Sequence, residues 1–225
     1  MLAGETARTI RDGSHILRQL APKRSRNEEV AVRAAPRIPP LPESQWDPEI
    51  AEIFRRDGSS APGAGRVLNI FRTLAHHPKL LKRWTVFGNH VLYKSTLPPR
   101  ERELVILRIG WLCRSEYEFG QHTRIGRQAG LTDEEICRIP VGPDAAGWSE
   151  ADADLLHAVD ELHHDSRISD ATWARLAERY DRKQMLDLVF AVGQYTLVSM
   201  ALNSCGVELD PGVEGFPAGA AGRGC

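Results

Sequence analysis

Residues 97–122 read Leu-Pro-Pro-Arg-Glu-Arg-Glu-Leu-Val-Ile-Leu-Arg-Ile-Gly-Trp-Leu-Cys-Arg-Ser-Glu-Tyr-Glu-Phe-Gly-Gln-His. Pro98 and Pro99 suit the first turn of a helix, where a missing N–H costs nothing. Leu104, Val105, Leu107, Ile109, Trp111 and Leu112 then fall almost all round a 3.6-residue period. A helix that is apolar on every side belongs inside a protein. The stretch 183–202 has the same character, with Met185, Leu186, Leu188, Val189, Phe190, Val192, Leu197, Val198 and Leu202. Helices over 100–114 and 183–202 are therefore expected to form the centre of an all-α bundle. Their similar Leu-Val stretches hint at a weak internal duplication.

Working outward, the other segments also read as helices, and no run alternates as a half-buried strand would. Pro78 opens a helix with Leu80, Leu81, Trp84, Phe87, Val91 and Leu92 spaced for one face. Short helices are expected at Ile50–Phe54 and Val67–Ala75, separated by a Gly/Ser/Pro loop at 58–66. Another runs from Glu116 to Gln128 and stops at Gly130. Thr132-x-x-Glu135, Ser149-x-x-Asp152 and Asp181-x-x-Gln184 mark further helix starts, and Asp170–Tyr180 adds one more. Four domain segments follow: a polar arm at 1–34, a proline-rich lead-in with a short helix at 35–58, the helical domain at 59–210, and a Gly/Ala-rich disordered tail at 211–225. The prolines of 35–48 forbid regular helix there, so this segment is expected to lie extended over the domain surface.

The chain has 225 residues and a net charge of −1, without the basic excess expected of a nucleic-acid binder. Nothing approaches 18 uninterrupted apolar residues, so no membrane span is expected. The N-terminus lacks an apolar h-region, and Glu5, Asp12, Glu28 and Glu29 speak against a transit peptide. A cytoplasmic location is expected. The four cysteines, Cys113, Cys137, Cys205 and Cys225, form no C-x-x-C pair. They read as reduced, mostly buried thiols.

Chemistry concentrates between Glu103 and His122. Glu103 lies in an apolar helix, and a buried carboxylate is costly unless it is paired. It is either a structural partner of Arg108 or part of a site. Glu118 and His122 are four residues apart and meet on one helical face. A carboxylate beside an imidazole fixes its tautomer and raises its pKa, giving an acid/base pair near neutral pH. The competing reading is that Ser115-x-x-Glu118 is a capping box and His122 a surface histidine. His90, on the preceding helix, either faces the pocket or is an ordinary histidine.

The stretches 97–107, 115–122 and 125–136 together resemble the core of the carboxymuconolactone decarboxylase and alkylhydroperoxidase-D-like family. The likeness spans about residues 65–140. That family's pattern is a glutamate, then C-x-x-C-x-x-x-H, then an Ala-Gly-Leu helix end. Glu103 and His122 match the glutamate and the histidine. The two cysteine positions fall on Ser115 and Glu118, and Cys113 does not restore the pair. Thiol–disulfide cycling at these positions is chemically excluded.

The resemblance implies an all-α bundle, no metal, no organic cofactor, and a homo-oligomer: a trimer or hexamer, with a dimer as the smaller form. It points to a cofactor-independent lyase or isomerase, decarboxylase-like, acting on a small carboxylated or lactone substrate. His122, Glu118 and Glu103 are the expected catalytic residues, with His122 moving the proton and Glu118 orienting it. Tyr117, Ser115, Arg108 and His90 are the expected substrate contacts. Two alternatives stand beside this: an oxidoreductase using other thiols, Cys113 above all, and a non-catalytic oligomeric binding protein.

Overall fold

Apolar residues in α4 (Pro99–Leu112) decide the architecture, because every residue from Arg102 to Gly110 is buried. The computed structural model describes residues 35–56 and 67–217. The 1–34 arm and the whole 58–66 loop lie outside the described residues. Nine α-helices and one 3-10 turn at Glu43–Gln45 make up the regular structure of the described residues. The remaining helices are α1 (Pro48–Arg56), α2 (Asn69–Leu74), α3 (Pro78–Tyr93), α5 (Glu116–Gln128), α6 (Asp133–Arg138), α7 (Glu150–Asp165), α8 (Asp170–Ala177) and α9 (Arg182–Cys205). The architecture is all-α, as expected.

Helix α4 packs against α5, α7 and α9. Its start at Pro99 and the turn after Leu112 follow from the two prolines and from Arg114, which has φ 53°. Helix α9 begins at a capping box made by Asp181 and Gln184 and ends at Gly206, which adopts φ 69° as an αL terminator. Its length and apolar composition would suffice to cross a membrane, but half of that stretch is buried inside the domain. Thr132 and Glu135 form the capping box of α6, and Ser149 caps α7.

Ion pairs tie these helices together where sequence spacing could not foresee it. Arg108 forks onto Asp160 of α7 at 2.6 and 2.7 Å and also donates to the Ile139 carbonyl at 2.7 Å. Arg100 bonds Asp152 at 2.8 Å and also pairs with Glu135. Arg175 and Arg179 hold the Asp154 carboxylate below the usual range, against the upward push of burial.

The proline-rich lead-in is extended and packed. The amides of Arg37 and Ile38 donate to the Cys205 carbonyl, and the Leu41 amide donates to Arg72. Leu41, Ile50, Ile53 and Phe54 join Val67, Ala75 and Leu81 in a second apolar cluster. Helix α3 departs from its expected one-sided face: Leu81 and Val91 are buried, whereas Leu80 and Phe87 are exposed. Cys113 and Cys205 are free and half-buried, but Cys137 is disulfide-bonded, which corrects the expectation of four reduced thiols.

The tail is the larger correction. Residues 211–217 are not frayed; they lie along α5. Val213 is buried, and the Phe216 ring meets Trp111 at 4.9 Å and Phe119 at 5.4 Å. Gly120 permits this approach, since a Cβ there would stand 2.2 Å from the Glu214 carbonyl oxygen. Residues 218–225 lie outside the described residues.

Candidate functional site

Three helices bring the ionisable residues together. Helix α4 supplies Glu103, α5 supplies Glu118 and His122 one turn apart, and α9 supplies Tyr195. His122 Nδ1 lies 2.6 Å from Glu103 Oε2, and His122 Nε2 lies 2.9 Å from Glu118 Oε1. The other Glu103 oxygen accepts from Arg102 Nε at 3.0 Å. Glu103 is fully buried, and Glu118 and His122 are 4% and 5% exposed. The result is a buried line of alternating charge, Arg102–Glu103–His122–Glu118.

This line fixes the state of the imidazole. Burial alone would lower its pKa, but the charges of Glu103 and Glu118, with the hydrogen bonds they accept, outweigh burial and raise it to about 10. His122 is an imidazolium at neutral pH and donates from both ring nitrogens. The Tyr195 ring stands edge-on to it at 4.8 Å. Burial and the two nearby carboxylates push the Tyr195 phenol well up, so it stays an O–H donor.

The line ends at a cavity of about 160 Å³. Glu118 and His122 form its polar wall, with Tyr195 and Gln194 beside them. Ile70, Phe71, Trp84, Leu92, Ile125 and Val198 supply the apolar wall. Tyr117 and Gln121 line it too, and Asp210 holds both. Asp210 accepts from the Tyr117 phenol and from Gln121 Nε2 at 2.7 Å, while its other oxygen accepts from the Asn69 amide at 3.0 Å.

The sequence-selected residues thus divide. Glu118, His122 and Tyr117 reach the cavity, and Glu103 stands directly behind His122. Ser115 is buried but forms no capping box: its side chain makes no cap bond, and Glu118 turns to His122 instead. Arg108 is held by Asp160 and the Ile139 carbonyl, and His90 is exposed on α3; neither lines the cavity. Arg100 and Arg102 are likewise absent from its walls. Tyr195, Gln194, Gln121 and Asp210 were not foreseen. Gln194-Tyr195 was the available signal, a polar pair inside an otherwise apolar helix.

Cys113 stands apart from the cavity. Its sulfur is 3.9 Å from His163 Nδ1, yet burial pushes the thiol up and pushes the His163 imidazole down. That pair stays a neutral thiol beside a neutral imidazole, the opposite of an activated thiolate.

Residues 78–161 match the family model described as "Carboxymuconolactone decarboxylase family". No curated protein matches the chain in sequence. Among solved structures, an alkylhydroperoxidase AhpD core, peroxidase-related protein from Ralstonia eutropha JMP134 superposes with a TM-score of 0.66 at 18% identity, covering 77% of this chain and 93% of that one. A peroxidase-related protein from Silicibacter sp. TM1040 gives 0.63 at 14%, covering 78% and 90%. A variant of the debrominase Bmp8 in complex with 2,3,4-tribromopyrrole gives 0.64 at 11%, covering 77% and 91%. These likenesses establish the fold. Residues 78–161, which carry Glu103, Glu118 and His122, match that family model, and the chain takes an AhpD-like helical fold.

Proposed function

We propose that this protein is a cofactor-independent lyase or isomerase that moves protons on a small organic substrate, with Glu118 as the acid/base group. The observation that carries the reading is the double engagement of His122, whose two ring nitrogens both face carboxylates. An imidazolium so held has no free nitrogen to offer a substrate. Its role is to hold Glu118 in place and to compensate its charge. This exchanges the roles expected from sequence: Glu118 moves the proton, and His122, backed by Glu103, positions it.

In this mechanism the Glu118 carboxylate takes a proton from an acidified carbon of the substrate. The Tyr195 hydroxyl and the Gln194 amide are the donors in the same wall for the oxygen on which charge develops. Return of the proton to a different carbon completes an isomerisation. This is general acid–base catalysis, worth about 10²–10⁴ in rate.

The test is deuterium uptake from heavy water into β,γ-unsaturated butenolides, followed by proton NMR. The wild-type protein is expected to catalyse uptake and ring isomerisation, and Glu118→Gln to lose both. Equal uptake in the variant would end the proposal.

We also propose self-association through the outer face of α9. Leu186, Phe190, Leu197 and Met200 recur there at heptad-like spacing and are 54–63% exposed. Gly193 sits midway, with nothing within 4 Å of where its Cβ would stand. A mid-helix glycine costs about 1 kcal/mol relative to alanine, and a second helix approaching closely explains its presence. Light scattering of wild type and Phe190→Glu decides the matter: a monomer in both would sink the idea.

A further inference from the structure

We infer that the cavity takes a neutral, single-ring molecule that offers an acidic N–H or O–H to Glu118 and accepts a hydrogen bond from Trp84, and that it rejects carboxylates. The inference rests on the acid/base reading of Glu118 and narrows it to a substrate class.

Size comes first. A cavity of about 160 Å³ is close to the ~150 Å³ apolar void that accepts benzene. A single ring matches that volume. The walls match such an occupant, since Phe71, Trp84, Tyr93 and Tyr195 present aromatic surface, with Ile70, Leu92 and Val198 between them.

Charge comes second. Among the described residues, no lysine or arginine lines the cavity. The three arginines of α4 are each committed: Arg100 to Asp152, Arg102 to Glu103, and Arg108 to Asp160. A carboxylate entering here would lose its water, gain no cation and approach the Glu118 carboxylate. An ammonium group fares little better, because Glu118 is already balanced by His122 and Glu103 by Arg102. The buried line is neutral as a whole and calls for a neutral partner.

Polarity comes third. Trp84 lines the cavity, and its indole nitrogen is buried with no hydrogen-bond partner among the described residues. A buried donor left unmatched is a standing cost that a ligand acceptor removes. Glu118 can accept from the ligand, and Asn89, Gln121 and Gln194 surround the same space with neutral amides. A ring with one acidic hydrogen and one acceptor, such as a phenol or an enolised cyclic ketone, satisfies both ends.

The experiment is calorimetric titration of the full chain with phenol, benzoate and benzylamine at pH 7.5. Phenol is expected to bind at least tenfold more tightly than either ion. Trp84→Phe, which keeps an aromatic ring in the wall, is expected to weaken phenol about fivefold, the typical yield of one hydrogen bond. Its near-ultraviolet dichroism would confirm an intact fold. Benzoate or benzylamine binding as well as phenol, or no binding by any of the three, overturns the inference. Unchanged phenol binding by Trp84→Phe removes the Trp84 contact. The two proposals fail separately: selective phenol binding with deuterium uptake unaffected by Glu118→Gln retains the ligand class and discards the acid/base role, and the reverse result does the opposite.

Discussion

Glu118 and His122 are joined across one helical turn at 2.9 Å, and that contact occupies the only imidazole nitrogen that Glu103 leaves free. The histidine is thereby removed from direct chemistry and turned into a fixed positive charge between two carboxylates. Several consequences can be measured.

Glu118→Gln is expected to fold normally. The amide oxygen can still accept from His122 Nε2, so the buried ring keeps both partners. The variant should lose about 10²–10⁴ in proton-transfer rate while its thermal midpoint shifts little. A large drop in the midpoint would show that the carboxylate charge itself holds α4 and α5 together.

His122→Gln is expected to behave differently. It leaves Glu103 and Glu118 buried with their common counter-charge gone. Breaking a buried charge pair from one side costs about 3–5 kcal/mol. Urea denaturation should show that loss, and a smaller one in Glu103→Gln, where His122 keeps the Glu118 carboxylate. If His122→Gln matches wild type in stability, the imidazole is not the charged centre described here.

The pH dependence has a definite sign. The His122 pKa rises from an ordinary 6.5 to about 10 in the folded protein. The folded state therefore holds this proton more tightly than the unfolded chain does. Its stabilising effect is complete below pH 6.5, declines as the pH rises, and is gone above about 10. Nitrogen NMR of the ring should show both nitrogens protonated at pH 8. A ring that titrates near 6.5 would contradict the structure.

Gly120→Ala tests the packing of the tail. The new methyl group would sit 2.2 Å from the Glu214 carbonyl, a backbone atom that cannot swing aside. A loss of about 1–3 kcal/mol is expected, typical of an overpacked site. Glutamyl-endopeptidase cleavage after Glu214 should accelerate. An unchanged cleavage rate would mean that the segment yields freely.

How far the sequence carried these conclusions depends on distance along the chain. The helices were legible because their periods, prolines and caps are local signals, and Asp181–Gln184 and Thr132–Glu135 cap as expected. The Glu118–His122 contact was legible for the same reason. Glu103 joined them through family resemblance, since no spacing rule brings two helices into register. Arg108 shows the limit: its partner Asp160 is 52 residues away, and nothing local distinguishes an arginine bound to a distant aspartate from one facing a substrate. Ser115 misled in the other direction. The capping-box spacing was present, but the better partner for Glu118 was a charged imidazole rather than a backbone amide. The tail was misread because its glycines dominate its composition, while two side chains, Val213 and Phe216, anchor it.

Asp210 has a place in time as well as in space. It follows the last of the described helices, yet it gathers Tyr117, Gln121 and the amide of Asn69 at the edge of the cavity. A nascent chain that has already made all of α4, α5 and α9 still lacks the carboxylate that orders this edge. The edge of the pocket is completed only once residue 210 has been made, and a product cut short after Cys205 would carry the charged line without the wall that shapes what reaches it.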